Sequence, residues 1–124
     1  MINWYAGWSM LLVAFLTGAV LGLYFYREGF LGGYTSFRRR IVRLGHIALA
    51  ALGIINVLYS VAAPAPAEAS LQTQIASVGF LVGGVTMPGV CFLTAWRASL
   101  RHLFFIPVTA LIIAVIQTLR LGPP

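Results

Sequence analysis

Four apolar stretches, each long enough to cross a bilayer and separated by short connections, constrain this chain more than any other feature. They run from Trp4 to Tyr26, Ile41 to Ala63, Leu71 to Trp96 and Leu103 to Leu121. A helix rising about 1.5 Å per residue needs about 20 residues to cross the hydrocarbon core. None of the four shows the polar–apolar alternation of a barrel strand. Backbone in lipid must satisfy its own hydrogen bonds, so each stretch is expected to be a helix. Composition agrees: 60% of the 124 residues are hydrophobic and 8% are charged, where a soluble domain carries about 25% charged residues. The expected fold is all-α, an integral membrane four-helix bundle of two antiparallel hairpins, forming a single domain over 1–124 (helices about 4–26, 41–63, 71–96 and 103–121).

Charge gives this bundle a direction. Every basic residue is an arginine. Arg27, Arg38, Arg39 and Arg40 lie between the first two spans, Arg43 just inside the second, and Arg97 and Arg101 between the last two. The other side carries Arg120 and the linker "APAPAEAS". The positive-inside rule then places the arginine connections in the cytoplasm and both termini outside it, with a bacterial inner membrane as the expected location. Trp4, Tyr5, Trp8 and Tyr59 are expected at the outer interface, and Tyr24, Tyr26, Phe37, Trp96, Phe104 and Phe105 at the inner one. The first apolar segment lacks a positive leader and exceeds a signal core, so it is expected to stay attached. The net charge of +6 points to anionic lipid headgroups at the arginine loop, and not to nucleic acid, because the arginines sit at span ends rather than along a soluble face.

Several chemistries lack their parts. Glu28 and Glu68 are the only acids, which leaves no carboxylate pair of the glycosidase or aspartic protease kind. Cys91 is a lone cysteine, so no disulfide forms within the chain. The loop "REGFLGGYTSFRRR" has neither the lysine nor the spacing of a phosphate-binding P-loop. Ser9, Ser36 and Ser99 have no histidine and carboxylate set to make a nucleophile.

Helix contacts in lipid rely on small residues and on polar groups that bond across the interface. Ala14, Gly18 and Gly22 form one such stripe, and Ala76, Gly79 and Gly83 another. Gly45, Gly53, Asn56 and Ser60 fall near one face of the second span. By depth, Asn56, Gln74, Ser77 and Gln117 are expected to form a polar cluster toward the outer side, read either as glue between helices or as a substrate or ion site. In "GGVTMPGVC", Pro88 removes a backbone donor, predicting a bend near Thr86 that serves packing or, in a transporter, exposes carbonyls. Met87 and Cys91 share a face as core filling or as soft ligands.

His46 and His102 lie at similar depth near the arginine end. Each is either an interface hydrogen-bonder or an axial ligand of a b-type haem, with Arg43, Arg39 or Arg101 pairing the propionates. The functional expectation is a small, non-catalytic subunit or accessory protein of a larger membrane complex, of the electron-transfer kind, partnered by other membrane subunits or by copies of itself. The alternatives are a haem-binding subunit using His46 and His102, and a small oligomeric channel or transporter.

Overall fold

The computed structural model describes residues 2–63 and 70–122, so the linker prolines Pro64 and Pro66 and the acid Glu68 lie outside the described residues. Four α-helices follow one another: α1 (Ile2–Tyr24), α2 (Phe37–Ala62), α3 (Leu71–Trp96) and α4 (Phe105–Leu121). Two short 3-10 segments, Phe30–Gly32 and Ala98–Phe104, fill the connections at the arginine end. The second runs straight into α4, and Ala98–Leu121 makes one apolar helical span of 24 residues. All four spans are long and apolar enough to cross a membrane. The fold is an all-α membrane-type helical bundle.

The start of α2 differs most from the sequence expectation. It begins at Phe37, four residues before Ile41, so the arginine triplet is helical and not loop. The cause is a cap: Ser36 adopts an extended backbone, and its hydroxyl accepts from the Arg39 amide at 3.2 Å. Arginine is a good helix former, and its apolar stem can lie along the helix while the head reaches out, so nothing opposes the extension. The same hydroxyl donates to the Leu31 carbonyl at 2.6 Å, holding the preceding turn. That turn is tight, with Leu31, Gly32 and Gly33 at φ of 56°, 88° and 94°. Glycine takes this left-handed backbone freely, whereas Leu31 is held in it by its neighbours.

Each helix packs against the next in sequence; α1 also touches α3, and α4 leans on α3 and the segment before it. The arrangement is a three-helix core with α4 against its flank, rather than a closed ring. Glycines set the closest approaches. A Cβ on Gly7 would lie 2.7 Å from the Gly53 carbonyl oxygen, and one on Gly45 2.8 Å from Cys91 Cβ. On Gly79 it would lie 2.8 Å from both the Ala110 oxygen and Ala114 Cβ, and on Gly83 it would collide with Leu111. The stripes divide accordingly: Gly79 and Gly83 seat α4, Gly18 seats the His46 ring, and at Gly22 a Cβ would meet nothing within 4 Å.

α3 continues as one helix across the buried Pro88. Thr86, in the turn before it, donates its hydroxyl back to the Val82 carbonyl at 2.6 Å. The helix is therefore not interrupted into two half-helices at this point.

Candidate functional site

At the end remote from the Arg38–Arg40 run, polar side chains tie α1, α2 and α3 together. Asn3 Nδ2 donates to Asn56 Oδ1 at 2.8 Å and to the Ser77 carbonyl oxygen at 3.2 Å. The Ser77 hydroxyl donates to Asn3 Oδ1. Asn56, fully buried, donates from Nδ2 to the Leu52 and Phe80 carbonyls at 2.9 and 3.1 Å. Both amides thus have their donors and acceptors matched within the chain, as buried groups in hydrocarbon must. Close by in sequence, Tyr59 donates to the Thr73 carbonyl at 2.6 Å and tilts against Phe80 with ring centroids 5.1 Å apart. Tyr59, three residues from the end of α2, is buried beside Ala76 and Ala114.

The polar cluster expected here is only partly assembled. Asn56 and Ser77 meet through Asn3, one position before the apolar stretch that begins at Trp4. Gln74 is exposed and lines an open apolar groove between α3 and α4. Gln117 is half-buried on α4, with an Oε1 that has no hydrogen-bond partner among the described residues. A periodic signal for Asn3 exists in the sequence: Asn3, Gly7, Met10 and Ala14 repeat at helical spacing, and all four are buried.

At the other end, the arginines separate into distinct roles. Arg39 is 2% exposed. Its guanidinium donates to the Phe25 and Arg27 carbonyls, the latter at 3.3 Å, and lies 4.8 Å from the Phe25 ring centroid and 4.7 Å from that of Tyr34. Those carbonyls follow the C-terminus of α1, where the helix dipole concentrates partial negative charge. Carbonyls and ring faces therefore stand in for the acid that the chain does not supply there. Arg43 shares the same two rings at 5.7 and 6.0 Å, and Arg27 lies 5.4 Å from Tyr24 and 5.7 Å from Tyr26. Tyr24 stacks on Phe30 at 5.5 Å, closing the aromatic set.

The two histidines occupy different surroundings. His46 is half-buried on α2, facing α1: its Nδ1 lies 3.2 Å from Thr17 Oγ1, and a Cβ on Gly18 would fall 2.9 Å from its Cε1. The Thr17 hydroxyl donates to the Val13 carbonyl oxygen at 2.8 Å, with the Ala14 oxygen at 3.1 Å. A hydroxyl that donates along its own helix can also accept from an imidazole N–H, so the Thr17 contact holds the His46 ring against α1. Nε2 makes no hydrogen bond among the described residues. His102 is exposed in the 3-10 segment before α4, not within the helix, and no described contact links it to His46 or Arg43. No group of three or more His, Cys, Asp or Glu that would hold a metal ion occurs among the described residues.

Among the described residues, several open grooves mark the surface. One, of about 360 Å³, is lined by Leu16, Thr17, Val20, Leu21, Val42 and Phe92. Comparison of the chain with protein-family models, with curated proteins and with solved structures finds no match.

Proposed function

We propose that this chain is a small, non-catalytic subunit or accessory protein of a larger membrane assembly of the electron-transfer kind, in a bacterial inner membrane with its arginine end in the cytoplasm. The observation that supports this most is the use made of its polar groups. Asn3, Asn56, Ser77, Tyr59 and Arg39 are all engaged in holding helices or turns together. Among the described residues, these grooves do not bring together an acid, a base and a nucleophile of the kind a catalytic site uses. A bundle with α4 on one flank keeps broad apolar faces on α1 and α4, and a neighbouring chain in the bilayer can cover them by close packing. The test is purification from its own host in a mild detergent followed by a native gel. Co-migration with cofactor-carrying redox proteins supports the reading, and a lone chain of 13.4 kDa in its micelle refutes it.

A second reading, haem binding, draws support from His46 Nε2, which makes no hydrogen bond among the described residues. His46 lies nine residues from the start of α2, roughly 14 Å along the helix. An imidazole fixed by a supporting hydrogen bond at Nδ1 is suited to ligate through Nε2. In this reading the other axial ligand is His102 or a group from another chain. A Soret band in the purified assembly that is lost in His46→Ala supports this reading, and its loss or survival in His102→Ala tells which of the two supplies the other ligand; a colourless assembly refutes it.

A further inference from the structure

We infer that the groove formed by Phe37, Arg40, Ile41 and Leu44 binds one anionic glycerophospholipid, its phosphate on Arg40 and an acyl chain along Ile41 and Leu44. The inference deepens the membrane reading above and rests on it.

The arginine run contains three neighbours with unequal freedom. Arg39 is committed to the Phe25 and Arg27 carbonyls and two rings, and Arg43 and Arg27 lie over aromatic faces. Arg40, one position on and about 100° around the helix, is exposed, and its guanidinium has no hydrogen bond, ring or carboxylate partner among the described residues. Beneath it lies an open groove of about 350 Å³ whose other lining residues are all apolar. Phe37, Arg40, Ile41 and Leu44 recur at i, i+3, i+4 and i+7, so they make one strip along α2, about 10 Å long. Ile41 is buried at its floor, against Cys91 and Ala95, while Phe37 and Leu44 are half exposed at its ends.

A cation above a strip of apolar side chains at the arginine end of a membrane span matches the order of groups in a phospholipid, phosphate at the interface and chain below. Charge selects the anionic class. Glu28 is the only acid among the described residues, and no arginine there forms an ion pair with it, so the Arg40 guanidinium has no anion among them. A zwitterionic lipid brings its own cation to the same place. Free inorganic phosphate can meet Arg40 but gains nothing from Ile41 and Leu44.

The experiment is native mass spectrometry of the purified chain in neutral detergent, titrated with phosphatidylglycerol or phosphatidylcholine. One phosphatidylglycerol should be retained in preference to phosphatidylcholine, and inorganic phosphate should not displace it. Arg40→Gln should weaken retention about fivefold, the effect of one basic group near an anionic surface. Leu44→Trp, which keeps every charge but fills the groove, should also weaken it, and Arg38→Gln should weaken it less than Arg40→Gln. Equal losses in the Arg38 and Arg40 variants, no effect of Leu44→Trp, equal retention of the two lipids, or displacement by phosphate would each overturn the site. Any of these leaves co-migration with partner subunits unaffected, so the two proposals fail separately.

Discussion

Replacing Arg39 with methionine tests whether a buried guanidinium without an acid holds the first hairpin together. Methionine keeps much of the stem volume and removes the charge. Two charge-assisted hydrogen bonds to backbone carbonyls are lost, worth about 1.5 kcal/mol each at the lower end of their range. Two ring contacts at 4.7 and 4.8 Å go with them, each about 0.5–1 kcal/mol. The gross loss is therefore about 4–5 kcal/mol. Against it stands relief of the burial cost of the cation, which amounts to several kcal/mol for a desolvated ion and is reduced here by the helix-end carbonyls. The net destabilisation expected is about 2–3 kcal/mol. Arg38→Met, one residue away and exposed, should stay within about 0.5 kcal/mol of the parent. Unfolding in mixed dodecyl maltoside and dodecyl sulfate micelles, followed by tryptophan fluorescence and far-ultraviolet dichroism, compares the two in a background free of lipid. If both variants unfold at the same detergent fraction, the assignment of Arg39 as the pin of this turn is wrong.

The bond between Asn3 and Asn56 at 2.8 Å should show a coupling of about 0.6 kcal/mol, and no more than about 1.7 kcal/mol, in a cycle of the two alanine variants, as interhelical bonds in bilayers do; additive losses would mean that each amide acts separately. The two kinds of glycine should differ sharply. Gly79→Leu drives a side chain into Ala110 and Ala114 and should displace α4, costing about 1–3 kcal/mol or more from overpacking. Gly22→Leu enters open space, so the isolated chain should unfold as the parent does, and a matching loss in the two variants would contradict this packing.

The four spans and the gathering of charge at one end can be read from the chain because they depend on each segment alone. Bilayer thickness sets how many apolar residues a span needs, and the absence of water inside it requires a helix, whatever the neighbours are. The packing stripes are legible to the same extent: Gly79 and Gly83 have the spacing and also the partner, while Gly22 has the spacing and no partner. Asn3 escapes a reading that starts the first helix at Trp4, and the capping that carries α2 past its apolar core leaves no mark in hydropathy. Nor does composition tell Arg38, Arg39 and Arg40 apart. Consecutive helical residues point about 100° from one another, so three identical side chains meet three different surroundings, and only the packed neighbours decide which is buried. In the same way the tertiary structure turns His46 toward Thr17 and Gly18 and leaves His102 outside. Depth in the membrane follows from position along the chain, whereas rotation about the helix axis is settled by what lies beside it.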